Sequence, residues 1–130
     1  MTAMHHVNLC VPPTIDDRDG ADAEGEWLVG MLGYRKADPG PEAAKFGRLC
    51  WFEADDGHQV HLTVDPDHHP SGRAHTAIRL DDALDATIAR LEAAGATPHA
   101  TTFDGDRHVF TNDPAGNLWE LIGPPEAAAS

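Results

Sequence analysis

The sequence predicts an α+β fold of two βαβββ modules that form a curved, partly closed mixed sheet around a cleft. The main observation is a repeat, because each half of the chain follows the order strand, helix and three strands. The length of 130 residues suits one domain with its own core. We therefore expect a single domain over 1–130, with module one at about 4–66 and module two at about 72–124.

The first half begins with a strand, because apolar and polar residues alternate over 5–11. An acidic segment with few large apolar residues, 14–25, predicts a surface loop. Apolar residues then recur at helical spacing over 26–32, and Gly33 suits the left-handed residue that ends a helix. These features place one strand and one helix before the next strands.

Three short strands complete the first half. They are predicted at 34–37, 47–53 and 58–64. A turn of the hairpin type at 55–57 joins the last two. The polar segment 65–72 is the expected linker to the second half.

The second half repeats the order of the first. A strand at 73–80 leads into a helix that Asp81 or Asp82 can cap and that ends at Gly95. The expected strands that follow lie at 97–103, 107–111 and 118–122.

The composition indicates a globular protein with an acidic surface. Hydrophobic residues make up 41% of the chain and charged residues 24%, which are ordinary values. A formal net charge of −13 argues against nucleic acid or an anionic membrane as a partner, since both need a basic face. The sequence contains no long apolar run or secretion signal, and Cys10 and Cys50 lack Cys-x-x-Cys spacing. We therefore expect a cytoplasmic protein with reduced thiols.

Four polar residues occupy matching places in the two halves. The first strand of each half carries a histidine, His6 or His75. The last strand of each half carries a potential metal ligand, His61 or Glu120. Three imidazoles and one carboxylate suit a divalent transition metal, and strands hold such ligands rigidly. The repeat therefore predicts a metal site.

Neighbouring side chains are candidates for the wall of a substrate pocket. Asn8 shares a strand face with His6 and lies roughly 7 Å along the strand from it. Thr63 has the same relation to His61. The aromatic candidates on predicted strands are Trp51, Phe103 and Phe110.

The closing segment Asp113-Pro-Ala-Gly-Asn-Leu-Trp-Glu120 is close to a signature, Asp-Pro-x-Gly-Asn-x-x-Glu. Other residues fit the same pattern: His6-Val7, Gly33, His61-Leu62, His75, Asp81-Asp82, Leu91 and Gly95. In these residues the chain resembles the vicinal oxygen chelate superfamily, and the resemblance covers roughly residues 4–124. That superfamily includes glyoxalase I, bleomycin and fosfomycin resistance proteins, and extradiol dioxygenases.

The resemblance implies a glyoxalase-like fold, a homodimer, a small-molecule substrate and a divalent metal ion such as Zn, Ni, Mn, Co or Fe. The ligand positions of the metal-dependent members fall on His6, His61, His75 and Glu120. By the same resemblance, His61 and Glu120 are the candidate catalytic residues, with His61 either a ligand or an acid–base group.

Three functions are compatible with the resemblance. We favour a metal-dependent lyase or isomerase, in which two substrate oxygens chelate the metal. An alternative is an Fe(II) or Mn(II) extradiol-type dioxygenase, although Phe110 replaces the tyrosine that those enzymes carry ten residues before the glutamate. The other alternative is a metal-free small-molecule-binding protein of the drug-resistance type.

Overall fold

Two four-stranded mixed sheets, each accompanied by an α-helix, organise the computed structural model, which describes residues 1–46 and 48–125. The chain divides into two units, Met1–Pro70 and Ser71–Ser130, with one sheet in each. The predicted α+β class with two βαβββ modules is confirmed. Among the described residues, no helix is long and apolar enough to cross a membrane.

Unit 1 contains one long helix, one short helix and four strands in one mixed sheet, and a small hairpin precedes the long helix. Its elements are β1 (His6–Val11), β2 (Thr14–Ile15), β3 (Arg18–Asp19), α1 (Gly20–Leu32), β4 (Arg35–Ala37), α2 (Gly40–Ala43), a 3₁₀ turn (Ala44–Phe46), β5 (Cys50–Glu53) and β6 (Gln59–Val64). The sheet order is β1-β6-β5-β4, with β1 and β6 parallel and the other pairs antiparallel. Gly47, the first residue of the strand predicted at 47–53, lies outside the described residues.

The prediction of a surface loop at 14–25 is wrong. Residues 14–19 form a two-stranded hairpin, and α1 begins directly after it at Gly20. The Asp19 carboxylate accepts a hydrogen bond from the backbone N–H of Asp22 at 2.9 Å and so caps the helix. The segment has few large apolar groups because its buried positions are mostly small residues, which let α1 approach the sheet closely.

Two glycines of α1 provide a matched test of this close packing. A Cβ atom on Gly25 would lie 2.6 Å from Cζ of the buried Phe52, whereas one on Gly30 would meet nothing within 4 Å. We expect Gly25→Ala to lower the free energy of unfolding by about 1–3 kcal/mol, because the Phe52 ring must move within a packed core. Gly30→Ala should raise it by about 0.5–1 kcal/mol, since alanine favours the helix. Urea denaturation of both variants measures the difference, and equal stabilities would contradict the packing.

Unit 2 repeats the order of strand, long helix and three strands, without the hairpin and without α2. Its elements are β7 (His75–Arg79), a 3₁₀ turn (Asp81–Ala83), α3 (Leu84–Ala93), β8 (His99–Phe103), β9 (Asp106–Asn112) and β10 (Leu118–Pro125). The sheet order is β7-β10-β9-β8, with β7 and β10 parallel. Each first strand therefore pairs in parallel with the last strand of its own unit.

The predicted cap of the second helix by Asp81 or Asp82 is wrong. Both residues lie in the 3₁₀ turn, and α3 begins at Leu84 after Ala83, which makes no side-chain capping bond. Asp81 adopts a φ of 49°, and its carboxylate lies 3.4 Å from the guanidinium of Arg79. This ion pair turns the Asp81 carboxylate toward the preceding strand and away from the helix.

The buried strand residues of unit 2 lie on one face of its sheet. Trp119 and Leu121 on β10 and Val109 on β9 are almost completely buried. Gly123 shares the face of Trp119 and Leu121, and a Cβ on it would lie 2.4 Å from Leu84 of the helix. Since side chains alternate along a strand, the residues between these point to the face away from the helix.

Candidate functional site

The candidate residues of unit 1 lie on the sheet face opposite its buried apolar row. Asn8 is the strand partner of His61, and Trp51 is the partner of His61 on the other side. Paired residues share a face of a sheet, so these three side chains lie together. His6 and Thr63 are on the same face because each is two residues from a member of this group.

His61 is the central residue of this face, with only 7% of its surface exposed. Its ring stacks between His6 at 4.0 Å and Trp51 at 4.2 Å, with interplanar angles of 13° and 6°. The Nε2–H of His61 donates to Gln59 Oε1 at 2.8 Å, and Gln59 Nε2 donates to Glu53 Oε1 at 3.4 Å. A neutral ring that donates from Nε2 carries its lone pair on Nδ1. These contacts therefore hold both faces and one edge of the imidazole.

The protonation of His61 follows from this environment. Burial, and after it the charges of His6 and His5, lower the pKa of His61 from 6.5 to about 4. The ring is therefore neutral at pH 7 and can bind a metal or accept a proton. The Nδ1 atoms of His5 and His6 are 2.8 Å apart, which leaves Nε2 of His6 as the nitrogen not used in that bond.

The register of unit 2 repeats that of unit 1. The strand partner of Glu120 is Ala77, two residues after His75. In unit 1 the strand partner of His61 is Asn8, which likewise lies two residues after His6. Phe110 lies opposite Glu120, as the tryptophan lies opposite His61. The sequence repeat therefore corresponds to a repeat in strand register.

The signature segment shapes the turn that precedes Glu120. Asp113 Oδ1 accepts a hydrogen bond from the backbone N–H of Asn117, and its Oδ2 accepts one from Trp119 Nε1–H, both at 2.9 Å. Gly116 in this turn has a φ of 85°, which favours glycine. Because the buried Trp119 points into the core, the next residue, Glu120, must point to the opposite face.

His75 and Glu120 are in direct contact. Nδ1 of His75 is 2.9 Å from the carbonyl oxygen of Arg73, which can only accept, so this nitrogen carries a proton. Nε2 of His75 lies 2.9 Å from Glu120 Oε1. The Arg73 carbonyl, and after it Glu120, raise the pKa of His75, although partial burial opposes them. Both contacts therefore stabilise the imidazolium form of His75.

His108 on β9 also contacts Glu120, although it was not among the predicted site residues. Its Nδ1 is hydrogen-bonded to Glu120 Oε2. Alternation along β9 indicates that His108 faces the site. Val109 is buried, so the flanking His108 and Phe110 must share the other face. His108 has no polar counterpart in the first half of the chain. It lies two residues before Phe110, and the corresponding position, two residues before Trp51, is Leu49.

The predicted aromatic pocket residues lie beside these groups within their own units. Trp51 stacks on His61, as described above. Phe110 meets His75 edge to face at 5.7 Å, and Phe103 meets His108 in the same way at 5.8 Å. Phe103 remains 63% exposed, so much of its ring is accessible to a ligand.

A cavity of about 380 Å³ is found elsewhere in unit 1, on the helix side of the sheet. Its lining includes Gly25 and Val29 of α1 together with Lys36 and Phe52. None of the predicted site residues lines it, and Phe52 points to the face opposite Trp51. The predicted site residues of unit 1 therefore lie on the other face of this sheet.

No group of three or more His, Cys, Asp or Glu side chains within 1–46 and 48–125 is arranged to hold a metal ion. The structure does bring pairs together, namely His6 with His61 and His75 with Glu120. The assignment of these four residues as metal ligands stays a prediction.

Comparison with known proteins adds family evidence to this geometry. The sequence model of the glyoxalase-like domain matches residues 14–122. No curated protein matches the chain. The similar solved structures include a glyoxalase family protein from Bacillus anthracis, with 23% identity and a TM-score of 0.76 over 95% of this chain and 96% of that one.

Two further structures of this fold have different functions in their names. A lactoylglutathione lyase from Agrobacterium tumefaciens has 22% identity and a TM-score of 0.67 over 95% of this chain and 94% of its own. An antibiotic binding protein from Streptomyces sp. CB03234 has 23% identity and a TM-score of 0.66 over 95% and 98%. At such identities the likeness shows the fold alone. With a family model that matches 14–122, the chain belongs to the glyoxalase-like domain family.

Proposed function

We propose that this protein is a metal-dependent enzyme of the lyase or isomerase type that acts on a small oxygenated metabolite. The observation that supports this most is the 2.9 Å contact between His75 Nε2 and Glu120 Oε1. In the neutral ring Nδ1 holds the proton, so two lone pairs face each other at this contact. Two facing acceptors require a shared cation, which is either a proton or a metal ion.

A divalent transition metal fits this donor pair. An imidazole nitrogen and a carboxylate oxygen are typical ligands for Zn(II) and its neighbours. Two donors with metal bonds of about 2.1 Å would lie roughly 3.0 Å apart at a 90° angle and about 3.4 Å apart at a tetrahedral angle, so the observed 2.9 Å is close to the first value. The bond from His75 Nδ1 to a backbone carbonyl is also the kind that orients a metal-binding histidine.

We propose His6 as a further ligand, and His61 as either a ligand or the acid–base group. When bound, the metal supplies Lewis-acid stabilisation of negative charge on the substrate oxygens. Because His61 is neutral at pH 7, its Nδ1 lone pair can bind a metal or act as a weak base, while the Nε2–H donates to Gln59. The exposed ring of Phe103, beside His108, offers an apolar contact for the body of the substrate.

The first test is metal binding by untagged protein. Chelator-stripped protein should gain thermal stability on addition of Zn(II), Mn(II), Ni(II), Co(II) or Fe(II), since an ion that binds only the folded state stabilises it. The loaded protein should also exchange a carbon-bound hydrogen beside a carbonyl with D₂O, within a panel of α-hydroxy and α-oxo compounds followed by proton NMR. No stabilisation by any ion, together with no exchange, would contradict the proposal.

A second candidate is metal-free binding of a small aromatic molecule. The row of stacked rings formed by His6, His61 and Trp51 favours it, because flat rings pack well against such a surface. Quenching of tryptophan fluorescence by an antibiotic panel, in protein kept in chelator, would support it.

Oxygen uptake with catechols by Fe(II)-loaded protein would instead support the extradiol-type alternative.

A further inference from the structure

We propose that His108 is a positioning residue that holds the Glu120 carboxylate in place for the cation shared with His75. This inference rests on the proposed function and adds a residue to it. It starts from the observation that two different imidazoles contact the two oxygens of one carboxylate. His75 lies at Oε1, and His108 is hydrogen-bonded to Oε2.

The direction of the His108 bond follows from the chemistry of its partners. An ionised carboxylate only accepts hydrogen bonds, so Nδ1 of His108 must carry the proton that joins it to Oε2. That proton is present in the neutral Nδ1–H tautomer and in the imidazolium. Oε2 is therefore occupied, and Oε1 is the oxygen that faces Nε2 of His75.

Burial strengthens this contact. The side chains of His108 and Glu120 are only 12% and 15% exposed, whereas that of His75 is 35% exposed. Hydrogen bonds to ionised carboxylates are among the strong ones, and partial exclusion of water reduces competition for them. The carboxylate is thus anchored on its buried side and accessible on the side of His75.

The position of His108 in the sheet is itself constrained. It faces Ile122 on β10, while Glu120 faces Phe110, so the imidazole reaches Glu120 diagonally across the strand pair. On the other side, the Phe103 ring of β8 meets the imidazole edge to face at 5.8 Å. The ring is therefore held between Glu120 and Phe103.

These contacts indicate a role in orientation, with the carboxylate rather than His108 as the metal ligand. Nδ1 of His108 is already used in the bond to Oε2 of Glu120. Carboxylates that bind metals are themselves commonly hydrogen-bonded, and loss of such a partner typically lowers metal affinity. His108 would therefore favour binding through a single oxygen of Glu120.

Two substitutions of His108 test the inference. His108→Asn retains an N–H donor near the place of Nδ1, and His108→Leu has a similar shape without a donor. Co(II) affinity, followed by visible absorption with a competing chelator, should fall about 10- to 100-fold in the leucine variant. The asparagine variant should retain most of the wild-type affinity. Thermal melts of both variants in chelator control for loss of the fold.

The possible outcomes separate this inference from the proposed function. Wild-type protein that binds no Co(II) or other ion would overturn the proposed function. Wild-type protein that binds Co(II), with a leucine variant that binds equally well, would overturn only the role of His108, as would an equal loss in both variants. In metal-free wild type, ¹H–¹⁵N NMR should show a protected Nδ1–H on His108, and its absence would also overturn that role.

Discussion

Replacement of Glu120 by glutamine should lower the affinity for Zn(II) by at least about 100-fold. This decrease is larger than the one expected when only a hydrogen bond to a metal ligand is lost. The substitution keeps the size of the side chain but removes the negative charge that faces Nε2 of His75 at 2.9 Å. An amide oxygen is a weaker donor for a transition metal than a carboxylate. Isothermal titration of chelator-stripped protein measures the effect.

Glu92→Gln on the exposed surface of α3 is the matched control and should bind Zn(II) as wild type does. A second readout needs no metal. Because Glu120 contributes to the raised pKa of His75, the glutamine variant should have a lower His75 pKa by NMR titration. Unchanged Zn(II) affinity in Glu120→Gln would remove Glu120 from the ligand set.

The stability of the metal-free protein should fall as the pH is lowered from 6.5 to 4 because of His61. Its pKa is 6.5 when unfolded and about 4 when folded, so the unfolded chain binds the proton first in this interval. The contribution of the neutral ring to stability is present above pH 6.5 and is lost as the pH falls towards 4. The pKa difference corresponds to a decrease of up to about 3 kcal/mol in the free energy of unfolding.

Urea denaturation in chelator at several pH values measures this slope. His61→Gln removes the titrating ring, so the difference in slope between wild type and this variant isolates the contribution. His69→Gln, at an exposed position of the linker, is the control and should keep the wild-type slope. Equal slopes in wild type and His61→Gln would show that burial does not keep this ring neutral.

Several features were predictable from local patterns because they depend on short-range physics. Alternation identified the strands that carry His6 and His75, and Gly33 ended α1 in the left-handed conformation as predicted. The internal repeat predicted the βαβββ order, which the two sheets confirm. These patterns are readable because side-chain periods of 2 and 3.6 follow directly from strand and helix geometry.

Other features escaped prediction because they depend on distant partners. The first half of α1 has small buried residues such as Ala21 and Ala23, whose role is evident only beside the sheet that they approach. The Asp81 carboxylate pairs with Arg79 and does not cap α3. Local propensity cannot rank a competing tertiary contact.

The candidate site shows the same division. The sequence by itself determined which strands carry His61 and Glu120, and on which face, since alternation and repeat position decide both. Only the tertiary structure decided what these side chains touch. Stacking by Trp51 and the hydrogen bond from His108 join different strands, and register across strands depends on packing that a single segment does not encode.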